Sequence, residues 1–320
     1  MTTTGYTRTE LDRAVAAAIR APSLHNSQPW RFRLRDGAIE VLRDGARLVP
    51  VADGSGWAAR IACGAAIYNA RLALAVAGRP ALVRLRPRQD EPDLMARLLP
   101  AEPAPATPAE RDLLAAVPNR HSNRAPFLPT PVPPDARHRL LEAARAEGCW
   151  LDLIIGPVPV AALAELAYSA HRVLNRDPAY ARELLNWTRT EPADDGVPVD
   201  AGGPSPEPHD LLPARGFGDR PRHPGRDFEP EPLVAVLGAA GDSPTDQLQA
   251  GQALQRVLLT VTRDGLAVSM LSQPIEVPAA REQLRLSLGR FGIPQMVMRI
   301  GYGAPGLPTP RRGAAQVTDA

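Results

Sequence analysis

Lysine is missing from this 320-residue chain: all 37 basic residues are arginine. A lysine Schiff base and a phosphate-binding P-loop lysine are therefore excluded. Aromatic residues make up only 4% of the sequence, so much of the packing has to come from Ala, Leu and Val. The two cysteines, Cys63 and Cys149, stand far apart without CxxC spacing and read as buried structural thiols rather than a redox pair. GxSxG, HExxH and Ser-His-Asp order are all absent, which leaves hydrolase chemistry without support. A formal charge of +2 gives no general drive toward nucleic acid or acidic membranes. The N-terminus carries no apolar signal segment. The most apolar run, residues 58–78, is broken by Arg60, Asn69 and Arg71, which argues against a membrane span. The expectation is a cytoplasmic protein whose partners are small molecules, without nucleic acid or membrane.

What is present is long enough for two domains or one large one. Residues 10–21 read as a helix with Thr9 as its N-cap and Leu11, Val15, Ala18 and Ile19 on one face. Trp30, Phe32 and Leu34 then alternate with arginines as a half-buried strand, turned back by Asp36-Gly37. A second helix covers residues 57–77, with Gly78 as its stop and a strand following at 80–86. Residues 100–108 have linker composition. Helices are expected at 109–117, 134–147 and 159–175, and a strand at 150–155. Residues 191–230 hold nine prolines and six glycines, too many for regular structure, so this stretch is either disordered or a lid over a site. A buried strand at 233–239, helices at 247–263 and 281–288, and a last strand at 295–300 complete the pattern.

The halves echo each other. Residues 17–21 line up with 142–146, each run preceding a loop and a Trp-led strand. Gly64, Ala66 and Gly78 line up with Gly251, Ala253 and Gly265 at an offset of 187. The mismatch between the two offsets requires an insertion between about Trp150 and Gly251, where the Pro/Gly-rich stretch lies. The chain thus reads as a fused dimer with one elaborated half.

Between the first helix and the first strand stands Pro22-Ser23-Leu24-His25-Asn26-Ser27-Gln28-Pro29-Trp30. Such a loop either satisfies its own backbone as a turn or presents hydroxyl, imidazole and amide groups to a polar planar ligand. A second polar run, Arg120-His121-Ser122-Asn123-Arg124-Ala125-Pro126-Phe127, follows the linker, and Pro308-Thr309-Pro310-Arg311-Arg312 closes the chain. The first loop closely resembles the PSxxNxQPW motif of the FMN-dependent nitroreductases. The second resembles their RRSxRxF motif, and the last their basic tail. Together with Trp187-Thr188, Asp195-Gly196-Val197-Pro198, the length and the duplication, the chain most resembles the Acg-type branch.

That resemblance implies an α+β fold, with mixed or antiparallel sheets flanked by helices and two tandem halves forming a pseudo-dimer with a lid. The division would be residues 1–100 as a degenerate first half, 101–109 as linker and 110–320 as second half, with the lid at about 178–230. It also implies FMN between the halves. Only one complementary set of motifs is present, so one FMN per chain is expected, with the mirror-related site dead and a monomer sufficient. By resemblance the cofactor contacts would be Pro22, Ser23, Leu24 (through backbone and bulk), His25, Asn26 and Gln28 from one side. Arg120, His121, Ser122, Arg124, Arg311 and Arg312 would supply the other.

Arginine forks suit a phosphate, which points to Arg120 with Arg311 or Arg312. A cation such as Arg124 suits the negative charge that a reduced isoalloxazine carries near N1 and the C2 carbonyl. Ser122 suits the ribityl chain or phosphate, and His25 and His121 the ring or a substrate. The implied activity is hydride transfer from NAD(P)H through the flavin to a nitro compound, quinone or similar acceptor, with no protein residue as catalyst. The rival is a non-catalytic flavin-sequestering protein whose lid blocks the nicotinamide. Two other signals carry less. Gly301-Tyr302-Gly303-Ala304-Pro305-Gly306 fits GxGxxG after a strand, but Pro305, Pro308 and Pro310 forbid the helix a dinucleotide site needs. His209, Asp210, Asp219, His223 and Asp227 lack metal-ligand spacing and read as solvated loop residues.

Overall fold

The computed structural model describes residues 4–205, 207, 210–218, 221–222 and 227–319. The first half runs α1 (Arg8–Ala18), β1 (Trp30–Arg35), β2 (Ala38–Arg43), α2 (Trp57–Val76), β3 (Ala81–Leu85) and β4 (Leu94–Pro100). Then come α3 (Pro108–Ala116), α4 (Pro134–Arg145), β5 (Trp150–Ile154), α5 (Pro157–Asn175), α6 (Pro178–Asn186), β6 (Thr188–Arg189), β7 (Val197–Pro198) and β8 (Leu233–Ala239). The chain ends with α7 (Pro244–Arg263), β9 (Ala267–Leu271), α8 (Gln273–Glu276), α9 (Pro278–Leu288), β10 (Ile293–Gly301) and α10 (Ala314–Val317).

Two four-stranded antiparallel sheets result, ordered β1-β2-β4-β3 and β5-β8-β10-β9. The orders are the same: in each half the second strand is followed by the long helix, then the edge strand, then an inner strand. In the second half, residues 155–232 are inserted between the first two strands, and they include α5 and α6. The only parallel pairing between named strands is the two-residue β6–β7 pair. The fold is α+β, and its two large sheets are antiparallel rather than mixed.

Some sequence expectations shift. Thr7, not Thr9, caps α1, because its hydroxyl accepts from Glu10 N while the Glu10 carboxylate accepts from Thr7 N. Strands β4 and β9 are unanticipated: Leu94–Pro100 has no strict alternation, and Ala267–Leu271 is a short apolar run that periodicity cannot assign. Helix α6 lies inside the stretch expected to form the lid. The helix Trp57–Val76 is apolar and long enough to span a membrane, but 78% of its apolar window is buried inside the protein.

The halves meet where α2 crosses α7. A Cβ on Gly64 would lie 2.2 Å from Leu248 O, and one on Gly251 would lie 2.2 Å from Ile61 O. Ile61 and Leu248 are themselves 187 residues apart, so the contact is self-complementary, as at a two-fold interface. Leu248 of α7 packs into the first half's core, and Trp57, Ala58 and Ile61 of α2 pack into the second's. The tail crosses back as well. Thr318 forms a parallel bridge with Phe32, and Asp319 N donates to Phe32 O at 2.8 Å, adding to the outer edge of β1.

Placing a methyl at this crossing should force the helices apart. Gly251→Ala should lower the urea-unfolding free energy by about 1–3 kcal/mol despite alanine's better helix propensity. Gly289→Ala, whose Cβ would meet nothing within 4 Å but whose φ is +60°, tests backbone strain without overpacking.

Candidate functional site

The Pro22–Gln28 loop begins one turn after α1 and is strained. His25, Asn26 and Gln28 have φ of 52°, 55° and 55°, the left-handed region that non-glycine residues rarely occupy. It persists because distant segments hold it. Asn26 Nδ2 donates to Gly196 O at 2.8 Å and to Pro310 O at 2.9 Å, and its Oδ1 accepts from Arg311 at 2.9 Å. Gln28 is fully buried; its amide donates to Asp194 O and its Oε1 accepts from Arg312 N. Ser23 Oγ accepts from Gln28 N. Beneath the loop, Arg47 donates to Ser27 O and pairs with Asp195, which also pairs with Arg189, and both guanidiniums lie over Trp187. The Trp187 and Asp195-Gly196 segment thus clamps the base of the insertion to the loop.

These bonds sort the expected contacts. Pro22, Ser23, Leu24 and His25 wall an open-mouthed cavity. Arg124 lines it too, with Trp57 and Ile61 of α2, Met270 and Leu271 of β9, Met296 of β10 and Leu211, Arg215, Phe217 and Phe228 of the insertion. Asn26 and Gln28 do not line it; their amides are committed to protein partners and brace the loop. Arg312 is also committed, to Asp44 Oδ2, Gln28 O and Gln316 O.

Arg120 and Arg311 differ from the chain's many paired arginines. Arg120 is only 4% exposed; its Nη2 donates to Arg20 O at 3.2 Å, while Nε and Nη1 have no partner. Arg311 donates to Asn26 Oδ1, to Thr309 Oγ1 and to the carbonyls of Thr309, Pro310 and Ala21, the last at 3.2 Å, and leaves its buried Nε unpaired. Burial alone pushes Arg120 down to about 10. Burial, then Arg120 and Arg20, push Arg311 down to about 9. Beside them burial, then the same arginines, lowers His121. An ion-pair network would have carboxylates here. The unpaired guanidinium donors beside the start of the loop are of the kind an anion satisfies.

Ser122 bridges Val268 in parallel, and Asn123 N donates to Val268 O at 2.8 Å, so the 120–124 run lies along the edge of β9. The glycines of the GxGxxG-like run serve this packing. Gly301 and Gly303 admit Phe127, and a Cβ on Gly306 would lie 2.9 Å from Ser122 O. Arg124 donates to Ala201 O at 2.9 Å and lies 4.8 Å from the centre of the Phe217 ring; burial, then Arg215, push it down to about 10. Gly203, at φ +84°, lets the insertion pass against the Arg124 backbone.

Residues that no motif marked complete the wall. Arg215 enters from the insertion, pairs with Glu276 at 2.5 Å and places Nη1 2.7 Å from His25 Nε2. Although burial works against it, Glu276 holds the Arg215 pKa above its usual value. Burial, then Arg215 and Arg124, hold His25 well below the usual histidine range. Arg20 was legible only as the neighbour of the loop; Arg215 sits in irregular sequence with no signature. Of the His/Asp scatter, His209, Asp219 and His223 lie outside the described residues, and Asp210 and Asp227 pair with Arg222. Cys63 and Cys149 are buried free thiols, pushed up to about 12, each by burial first.

The unpaired charge has a stability signature. Arg120→Met should raise the urea-unfolding free energy of the ligand-free protein by about 1–3 kcal/mol, since it removes buried donors without partners. Arg312→Met, which breaks satisfied bonds, should lower it. The low His25 pKa sets an acid limb. The folded state binds fewer protons than the unfolded one below about pH 6.5, so stability is complete above that pH and falls as pH drops. His25→Gln should flatten this slope between pH 5 and 7.5, with His121 and His171, both lowered, supplying the remainder.

A sequence model described as the Nitroreductase family matches residues 117–302, beginning just before Arg120. Two Mycobacterium tuberculosis H37Rv proteins align along nearly the whole chain. "Putative NAD(P)H nitroreductase Rv3131" is 31% identical over 94% of this chain and 89% of its own. "Putative NAD(P)H nitroreductase acg" is 30% identical over 95% and 93%. Among solved structures, the FMN-dependent nitroreductase NfnB of Mycobacterium smegmatis in complex with NADPH superposes with a TM-score of 0.42 at 18% identity, over 66% of this chain and 98% of that one. On the family match and the two full-length relatives, this chain belongs to the nitroreductase family.

Proposed function

We propose that the protein binds one FMN per chain between its halves and uses it as an NAD(P)H-dependent reductase of nitro compounds, quinones or similar electron-poor acceptors. The observation that carries this reading is the set of buried guanidinium donors without partners, Arg120 Nε and Nη1 and Arg311 Nε, held against the start of the loop whose Pro22–His25 stretch walls a cavity together with Arg124. Arg120 and Arg311 would hold the flavin phosphate. Arg312 is bonded elsewhere, which favours Arg311 as the tail's contribution. Arg124 would face the pyrimidine edge, where a cation stabilises the charge of the reduced ring. Asn26 and Gln28 act one step back, by holding the loop in its left-handed conformation. Bound flavin would supply hydride acceptance and release; the chain's residues bind, orient and exclude water.

The halves would divide at residues 101–107, between β4 and α3, with the elaboration confined to the second half. Support for a single site comes from the second half's counterpart of the loop. There α4 passes to β5 through Ala146-Glu147-Gly148-Cys149 alone, Glu147 pairs with Arg71 and Arg256, and Gln249 donates to Glu147 O at 3.0 Å. This short turn carries a paired carboxylate in place of the loop's polar run.

A second reading rests on one observation. The insertion is packed shut by the buried Arg215–Glu276 pair, with Phe217 only 3% exposed, and such a lid would suit a protein that holds FMN without turnover. Anaerobic mixing of the FMN-loaded protein with NADH or NADPH separates the two. Rapid bleaching of the flavin band is expected; a flavin reducible only by dithionite would select the holding role, and failure to take up FMN would remove both. Arg120→Ala should abolish FMN retention, and a flavin surviving that substitution would overturn the one-site assignment.

A further inference from the structure

His25 is not explained by the loop's bracing. Its ring is 3% exposed, lines the cavity and packs edge-on to Phe217 with ring centres 5.8 Å apart. Its Nε2 lies 2.7 Å from Arg215 Nη1. A guanidinium can only donate, so Nε2 must be the accepting nitrogen and the proton must sit on Nδ1. That Nδ1 is buried and has no partner. Arg215 is fixed in turn by Glu276, whose side chain is 0% exposed, and by Ser272 Oγ at 3.3 Å. The result is a row from Glu276 through Arg215 to His25 that ends on an N–H with nothing to bond, at a cavity wall shared with Arg124. A buried donor left unpaired is unfavourable, and a strained backbone adds to that. Arrangements of this kind persist where a ligand completes them.

We propose that His25 is a neutral hydrogen-bond donor, through Nδ1–H, to an acceptor atom on the polar edge of the bound flavin, a ring carbonyl or ring nitrogen. Arg215 and Glu276 are positioning residues that fix its tautomer. The proposal rests on the FMN reading above. It assigns the insertion a constructive part in the site: the segment that covers the cavity also sets the donor inside it. No proton moves; the ring is buried and faced by two guanidiniums, which keeps it neutral, and only hydrogen-bond direction is at stake.

The test uses the full-length protein in its wild-type, His25→Gln, His25→Met and Arg215→Met forms, titrated with FMN while flavin fluorescence and the visible spectrum are recorded. Wild type should bind FMN. His25→Met should bind roughly tenfold more weakly with a shifted flavin band, and His25→Gln, which keeps an N–H donor, should recover part of both. Nitrogen-15 NMR of the ligand-free protein at pH 7 should show His25 protonated on Nδ1 in wild type and not locked to that nitrogen in Arg215→Met, a readout that general destabilisation does not produce. If His25→Met and wild type share affinity and spectrum, or if wild-type His25 carries its proton on Nε2, the proposal falls while the FMN reading stands. If wild type takes up no FMN, both fall.

Discussion

The crossing of α2 and α7 is the contact on which the rest of the molecule depends. Two glycines related by the internal offset let the backbones approach to a distance at which any side chain would strike a carbonyl oxygen. Because the contact is self-complementary, one arrangement fixes both halves at once. It carries the first turn of α2 into the second half's core, where Trp57 Nε1 donates to Gln295 Oε1 of β10 at 2.8 Å. That same turn floors the cavity. The Pro22–Gln28 loop from one half then faces the edge of β9 and the Arg120–Arg124 run from the other. Helix packing this close is an ordinary stability device, but here it also sets the width of the site.

Against that rigid frame the site itself is built from unfavourable local choices. Three consecutive or near-consecutive non-glycine residues adopt positive φ, two guanidiniums have buried donors unpaired, and a buried imidazole nitrogen has no partner. Elsewhere the chain supplies arginines with carboxylates, as Arg299 with Glu229 and Arg33 with Glu40. The contrast is informative because one side-chain chemistry serves both purposes. Where a carboxylate is supplied, arginine is structural; where it is withheld in a buried place, a guanidinium is left able to meet an anion. Glu147 is a supplied carboxylate of this kind, paired with both Arg71 and Arg256.

The site's motifs were legible because each is contiguous and chemically dense. The offset of 187 was legible because α2 and α7 must keep small residues in register at their crossing. What the sequence hid was of two kinds. Strands β4 and β9 carry no alternation, since their burial is decided by the helices that pack on them, so periodicity had nothing to read. The roles within the motifs were hidden because type does not show direction. Asn26 and Gln28 are the residue types that ligands favour, yet their amides face Gly196, Pro310, Asp194 and Arg312. Arg311 and Arg312 are neighbours of one type, and only the structure separates Arg311, whose Nε is left unpaired, from Arg312, which is bonded to Asp44, Gln28 and Gln316. Arg215 lies in a stretch whose composition announces irregularity and nothing more.

The described parts of that irregular stretch are held from several sides. Val197, Ala201 and Phe217 form a small apolar cluster of their own, and buried polar pairs add to it. Arg215 reaches Glu276, Arg222 reaches Asp210 within the segment itself, and Glu229 meets Arg299 while accepting from Phe127 N at 2.9 Å. Each anchor is a buried charge pair, and breaking one strands its partner in a medium of low dielectric. Arg215 is both the anchor on Glu276 and the group that donates to His25 Nε2, so the contact that holds this part of the insertion and the donor state of the cavity wall depend on one side chain.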